Sequence, residues 1–154
     1  MPGQATVTIG ESVWSCSVAS TSEELTNGLS NIPSIVAGDG MLFDLGGVYG
    51  SLLIDMASML FPLDIIFIDV NGLVNSVAHD VQPLDTDITG TNARYFMEVN
   101  AGEAVDIEVG DSVSIEGYPP EEEEEEGTTI TQMMELLIAV TIMGVMMGAM
   151  LSDS

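Results

Sequence analysis

Lysine is absent from this chain and arginine occurs once, at Arg94, against 25 aspartates and glutamates, which leaves a formal net charge of −24. A phosphate backbone is repelled by such a surface, so nucleic acid is not expected as a partner. Acidic membrane surfaces are equally poor electrostatic targets. Self-repulsion on this scale opposes a compact state unless it is screened, and at molar salt the Debye length falls to roughly 3 Å. A salt-loving source, a halophilic archaeon or a virus of one, is therefore expected. Cysteine is nearly as scarce: Cys16 is alone, so no internal disulfide can form and the redox compartment is open. The opening residues MPGQATVTIGES carry neither a basic region nor a long apolar run, so no secretory signal peptide is visible.

Chemical motifs are also missing. The sequence contains no Gly-rich phosphate loop, no nucleophile elbow and no metal-ligand cluster. Cys16 and His79, the one thiol and the one imidazole, could be written as a nucleophile pair, but they fall in a strand and at a loop edge. A buried structural cysteine is the better reading. Asp64, Asp69, Asp80, Asp85 and Asp87 offer oxygen ligands for a hard cation, yet their spacing matches no calcium loop. No metal or cofactor is expected, and an enzyme is the minority reading. Arg94 is expected to pair with a carboxylate; with Tyr49 and Tyr95 it forms the weak set of ligand-binding candidates, for an acidic group or a sugar or peptide.

What the sequence does contain is a clear β pattern, centred on 61–78, FPLDIIFIDVNGLVNSVA. Leu63 to Val70 is strongly apolar, Leu73 to Ala78 alternates, and Asn71-Gly72 between them predicts a hairpin with a type I′ turn. The first strand is apolar on both faces and is expected to be covered. Upstream, Ala5 to Ile9 and Val13 to Val18 read as strands; Thr21 or Ser22, Glu23, Glu24 and Gly28 predict one short helix. Met41 to Phe43, Leu52 to Met56, Arg94 to Val99 and Ser112 to Glu116 read as further strands, with turns at Gly46-Gly47 and Gly50. His79 to Gly90 reads as a surface loop, and Ala101 to Ile107 as a single helical turn. The fold expected is mainly β, a compact β-sandwich or partly closed barrel with one short helix.

Several phrases taken together resemble one family. They are Thr21-Ser22-Glu23-Glu24-Leu25 with Gly28-Leu29, Gly40-Met41-Leu42-Phe43, Met56 followed by Pro62 to Asp69, Arg94-Tyr95 with Glu98-Val99-Asn100-Ala101-Gly102, and Gly110-Asp111. In this order they resemble the prokaryotic family called domain of unknown function 192, over roughly residues 13–115. The resemblance implies a compact, mainly β domain and carries no established activity. A Lys-Asn-Thr triplet usual in that family is replaced here by Ala57, Ser58 and Met59. If the triplet forms a binding surface elsewhere, that surface is altered in this chain.

Beyond the β domain, 1–118, composition changes abruptly. A linker, 119–129, holds Pro119-Pro120 and six consecutive glutamates, which repel and extend. It leads to an apolar stretch, 130–151, predicted to be a separate C-terminal helix. Twenty-two helical residues span about 33 Å, close to a bilayer core, although the uncharged part from Leu136 to Leu151 covers only about 24 Å. Gly144 and Gly148 form a G-x-x-x-G pattern that suits close helix packing. The segment is expected to be a membrane anchor or a helix in an oligomeric, virion-type assembly. The sequence thus points to a non-enzymatic structural or interaction protein, a homo-oligomer or part of a larger assembly, membrane-anchored or virion-associated. The rival is a tail-anchored module that binds a carbohydrate or peptide, which a concave site containing Tyr49, Tyr95 or Arg94 would favour.

Overall fold

A computed structural model describes residues 3–119. The chain begins with a hairpin of β1 (Gly3–Ile9) and β2 (Ser12–Ala19), in which Ile9 pairs with Ser12 across a two-residue loop. Gly10, the first loop residue, has φ +62°, the backbone that a type II′ turn requires there. Helix α1 (Ser22–Asn27) follows, started by a reciprocal capping box. Thr21 Oγ1 accepts from the Glu24 N–H at 3.1 Å, and the Glu24 carboxylate accepts from the N–H groups of Ser20 and Thr21. The α1 segment returns the chain so that β3 (Asp39–Tyr49) runs parallel to β2.

β4 (Leu52–Ile54) leaves the main sheet, and β5 (Leu63–Ile68) re-enters it. β6 (Val74–Val81), β7 (Ile88–Gly90), β8 (Ala93–Asn100) and β9 (Val113–Glu116) complete the described chain. Seven strands form one sheet in the order β6-β5-β8-β3-β2-β1-β9, antiparallel except for β2 with β3. β4 and β7 form a separate two-stranded ribbon. The seven-stranded sheet curls into a half-barrel. Its outermost strands approach each other where Val74 N–H donates to Asp111 O and Val113 N–H to Gly72 O, each at 2.8 Å.

Alternation along the strands sends side chains to two separate cores. The inner one gathers Val7, Ile9, Trp14, Cys16, Leu42, Ile66 and Met97, with Val77 of β6 and Ile115 of β9 packed on it, so residues from both edges share one interior. The outer one gathers Phe43, Ile54, Met56, Met59, Leu63, Ile65, Phe67 and Phe96. β5 supplies both cores and all six of its residues are buried, as its two-faced apolar pattern predicts. Gly90 allows the ribbon to lie on the sheet: a Cβ there would meet Phe67 Cδ1 at 2.3 Å.

Four sequence expectations need correction. The 69–72 turn is not type I′, because Asn71 keeps a negative φ and only Gly72 is positive, at +78°. Asp69 Oδ1 accepts from the N–H of Asn71 and of Leu73, while Gly72 N–H donates to Asp69 O, so the aspartate dictates a longer turn. β6 runs on through His79 to Val81 and β7 occupies Ile88–Gly90, both within the stretch expected to be a loop. β3 continues past Gly46-Gly47 to Tyr49 with a shift of register. Ala101 to Asp106 forms two tight turns, closed by Glu103 N–H to Asn100 O and Ile107 N–H to Ala104 O, in place of the single helical turn expected, and the Asp64 carboxylate accepts from the N–H groups of Gly102 and Ala104. The expected linker, 119–129, and apolar helix, 130–151, lie outside the described residues apart from Pro119.

Candidate functional site

Above the outer face of β3 and β8, α1 and the β4 strand stand apart and leave a cleft of about 360 Å³. Gly28, which ends α1 with φ +46°, sets one wall: a Cβ there would lie 3.0 Å from Phe43 Cζ, so glycine lets the helix end rest on that ring. Phe43 in turn stacks on Phe96 of β8, with centroids 4.2 Å apart and planes 8° from parallel. Leu52 and Ile54 of β4 form the facing wall, Met59 lies buried beside them, and Tyr49 and Asp55 complete the lining from exposed positions.

Glu98 also lines this cleft. It shares a face of β8 with Phe96, and its backbone is fixed between Met41 of β3 and Ile65 of β5. The residue is only 5% exposed, and its carboxyl has no hydrogen-bond or ion-pair partner among the described residues. Burial pushes its pKa up to about 8, since an isolated carboxylate is expensive in low dielectric. At neutral pH the group is mostly protonated. It can donate a proton to a ligand oxygen, or it can ionise when a cation arrives to compensate the charge.

The other buried acid is partnered by backbone donors. Asp64, 1% exposed, accepts from the N–H groups of Asp80, Gly102 and Ala104 at 2.8 to 2.9 Å, and His79 Nδ1 lies 3.9 Å away. Its acceptor capacity goes to holding loops together. Glu103 likewise accepts from Trp14 Nε1 at 2.8 Å and from Gly38 N–H at 3.2 Å.

Arg94 and Tyr95, expected as ligand-binding candidates, belong to a different constellation. The Arg94 guanidinium binds Asp44 and lies 4.4 Å above the Tyr95 ring. Tyr118 donates to the second Asp44 oxygen at 2.6 Å, and Gly46 N–H donates to the first at 2.9 Å. Burial alone would raise the Asp44 pKa, but its bonds from Arg94, Tyr118 and Gly46 outweigh that and hold it below the usual carboxylate range. Tyr49 alone of the three candidates reaches the cleft. Gly144 and Gly148 lie outside the described residues. Cys16 sits in the inner core with Sγ 3.6 Å from Met97 Sδ, and burial pushes its pKa up to about 12, whereas His79 is half exposed beside Asp64. Among the described residues no three His, Cys, Asp or Glu side chains converge as metal ligands, and no helix is long and apolar enough to cross a membrane.

Glu98 was not among the residues singled out from sequence, where it figured only inside the phrase Glu98-Val99-Asn100-Ala101-Gly102. The signal available was the alternation: positions 94, 96 and 98 share a face, on which Phe96 stands between Arg94 and Glu98. Charged residues on both sides of Phe96 leave the burial of Glu98 to the elements that cover β8.

The family model for DUF192, described as an uncharacterized ACR, matches residues 5–115. A crystal structure of a protein of unknown function from Novosphingobium aromaticivorans is similar, with a TM-score of 0.66 and 29% identity over 72% of this chain and 83% of the other. A second, described as a putative transcription regulator from Sinorhizobium meliloti, has a TM-score of 0.68 and 21% identity over 76% of this chain and 95% of its own. No curated protein matches the chain.

Proposed function

The chain belongs to the DUF192 family, and we propose that its β domain is a non-enzymatic module that holds a small ligand in the Glu98 cleft. The unpartnered carboxyl is the observation that carries this reading. A structural acid in this fold is satisfied as Asp64 is, by three backbone donors, whereas Glu98 carries a desolvation cost with no internal return. Concavity, apolar walls and a few polar groups are the usual attributes of a small-molecule site. Tyr49 at the cleft supports the ligand-binding reading over a purely structural one. Met59, where the family pattern has threonine, makes this chain's cleft more apolar.

The acidic stretch and the uncharged run Leu136 to Leu151 support attachment of this module to a membrane or to a larger homo-oligomeric, virion-type assembly, and the charge of −24 supports a halophilic setting. Nucleic acid remains an unfavourable partner for that charge, and the regulator description of the Sinorhizobium protein stays with that protein. Thermal unfolding of the full chain in molar salt, screened against sugars, short peptides, alcohols and amines, tests the binding reading. A binder should raise Tm with concentration, and Leu53→Trp, at an exposed position in the cleft wall, should abolish the shift. No shift from any class in wild type overturns it. For the tail, flotation with liposomes should require residues beyond Tyr118; equal flotation of a chain ending there contradicts an anchor.

A further inference from the structure

We propose that the occupant of this cleft is an organic ammonium with an apolar body, its nitrogen seated on the Glu98 carboxylate. The proposal rests on the reading of the cleft as the binding site and names what that site selects. Its first support is charge complementarity. The ionisable side chains lining the cleft are Glu98, Asp55 and Tyr49, two carboxyls and a phenol, and no basic residue lines it. The chain's one arginine is already bound to Asp44. An anionic ligand would therefore meet a buried carboxyl and a field of the same sign, while a cation is drawn in.

The second support is the geometry of the acid. Glu98 is held by sheet pairing of its backbone on both sides, is more than nine-tenths buried, and lines the cleft. A primary ammonium brings three donors to such a group. The ion pair offsets the cost of ionising a carboxyl that folding has already removed from water. The third support is the wall chemistry. Leu25, Phe43, Leu52, Ile54 and Phe96 suit a hydrocarbon body, and stacked aromatic rings favour a nearby cation over an anion.

Proton balance follows directly. The free cleft holds Glu98 mostly protonated at neutral pH, so an ammonium that arrives charged displaces one proton from the carboxyl to solvent, and the product is a carboxylate–ammonium pair. Affinity should therefore rise about tenfold per pH unit below the free pKa of about 8 and level off above it. Asp55 and Tyr49 are the other titratable groups facing the cleft, and α1 contributes none to it.

Calorimetric titration of the full chain in molar salt with hexylammonium, hexanol and hexanoate, between pH 6 and 9, decides the matter. The expected order is hexylammonium tighter than hexanol by about tenfold or more, with hexanoate weakest. Binding of hexylammonium should release a proton at pH 7. Glu98→Gln should erase both the preference and the pH slope while still binding hexanol, and Asp55→Asn and Tyr49→Phe should keep the slope. If hexanol or hexanoate binds as tightly as hexylammonium and Leu53→Trp blocks it, the cleft is a binding site but its selection of ammonium is overturned. If none of the three binds wild type, both the selection and the site fall together.

Discussion

Glu98 is where a single side chain controls a property of the whole domain. Its pKa is about 8 in the folded chain against 4.5 for an ordinary glutamate. Between those values the folded state keeps a proton that the unfolded state has released, so stability falls as pH rises, by up to about 1.4 kcal/mol per unit, and flattens above pH 8. Asp44 has the reverse sign: its depressed pKa makes its contribution present above the unfolded value and lost as pH falls through the folded one. Urea unfolding of wild type and Glu98→Gln from pH 5 to 9 in molar salt should show the variant gaining on wild type up to about pH 8. The many other carboxylates cancel in the difference, and parallel curves would contradict a neutral Glu98 in the folded state. Arg94 was legible from sequence as a residue that must find a carboxylate, and it found Asp44, 50 positions away. Which carboxylate it finds was not legible, because the partner depends on strand pairing.

Among the elements, α1 was the most legible, since its signals are local. Thr21, one of the two N-cap candidates in the sequence, starts it, Glu23 and Glu24 occupy its first turn, and Gly28 ends it. β5 was equally plain from its apolar run. The 69–72 turn was misjudged because Asn-Gly suggests a type I′ turn only when no preceding side chain competes, and Asp69 does compete for the turn's N–H groups. The β4–β7 ribbon was half missed because three-residue strands carry too short a pattern to register. Its position rests on Gly90, which is tested by Gly90→Ala. The added methyl would overlap the buried Phe67 ring, so the ribbon or the ring must shift, at a cost of about 1 to 3 kcal/mol. The denaturant midpoint should fall accordingly; an unchanged midpoint would mean that the ribbon is not seated on Phe67.

For the molecule as a whole, the sequence indicated a β-rich domain and a partly closed barrel as one of two architectures. It could not indicate the curl of the sheet, the parallel pairing of β2 with β3, or the meeting of Val74 with Asp111. Those depend on contacts between residues far apart in the chain, which alternation does not encode. The cleft is a product of that same long-range arrangement: β8 supplies Glu98, β3 supplies Phe43, and α1 and β4 supply the walls. Composition speaks at this scale too. A net charge of −24 makes folding and cation capture both dependent on salt, but screening weakens a buried pair far less than an exposed one. An ammonium on Glu98 should therefore survive molar salt.

The most direct measurement is a methyl NMR titration of the full chain labelled at methionine, with hexylammonium as the probe. Met59 lines the cleft, whereas Met97 is buried in the inner core of the half-barrel. Saturable movement of the Met59 methyl, with Met97 unmoved and the response lost in Leu53→Trp, is the result expected of a binding module built around Glu98. A stationary Met59 at saturating probe, or shifts confined to methionines beyond residue 120, would contradict it.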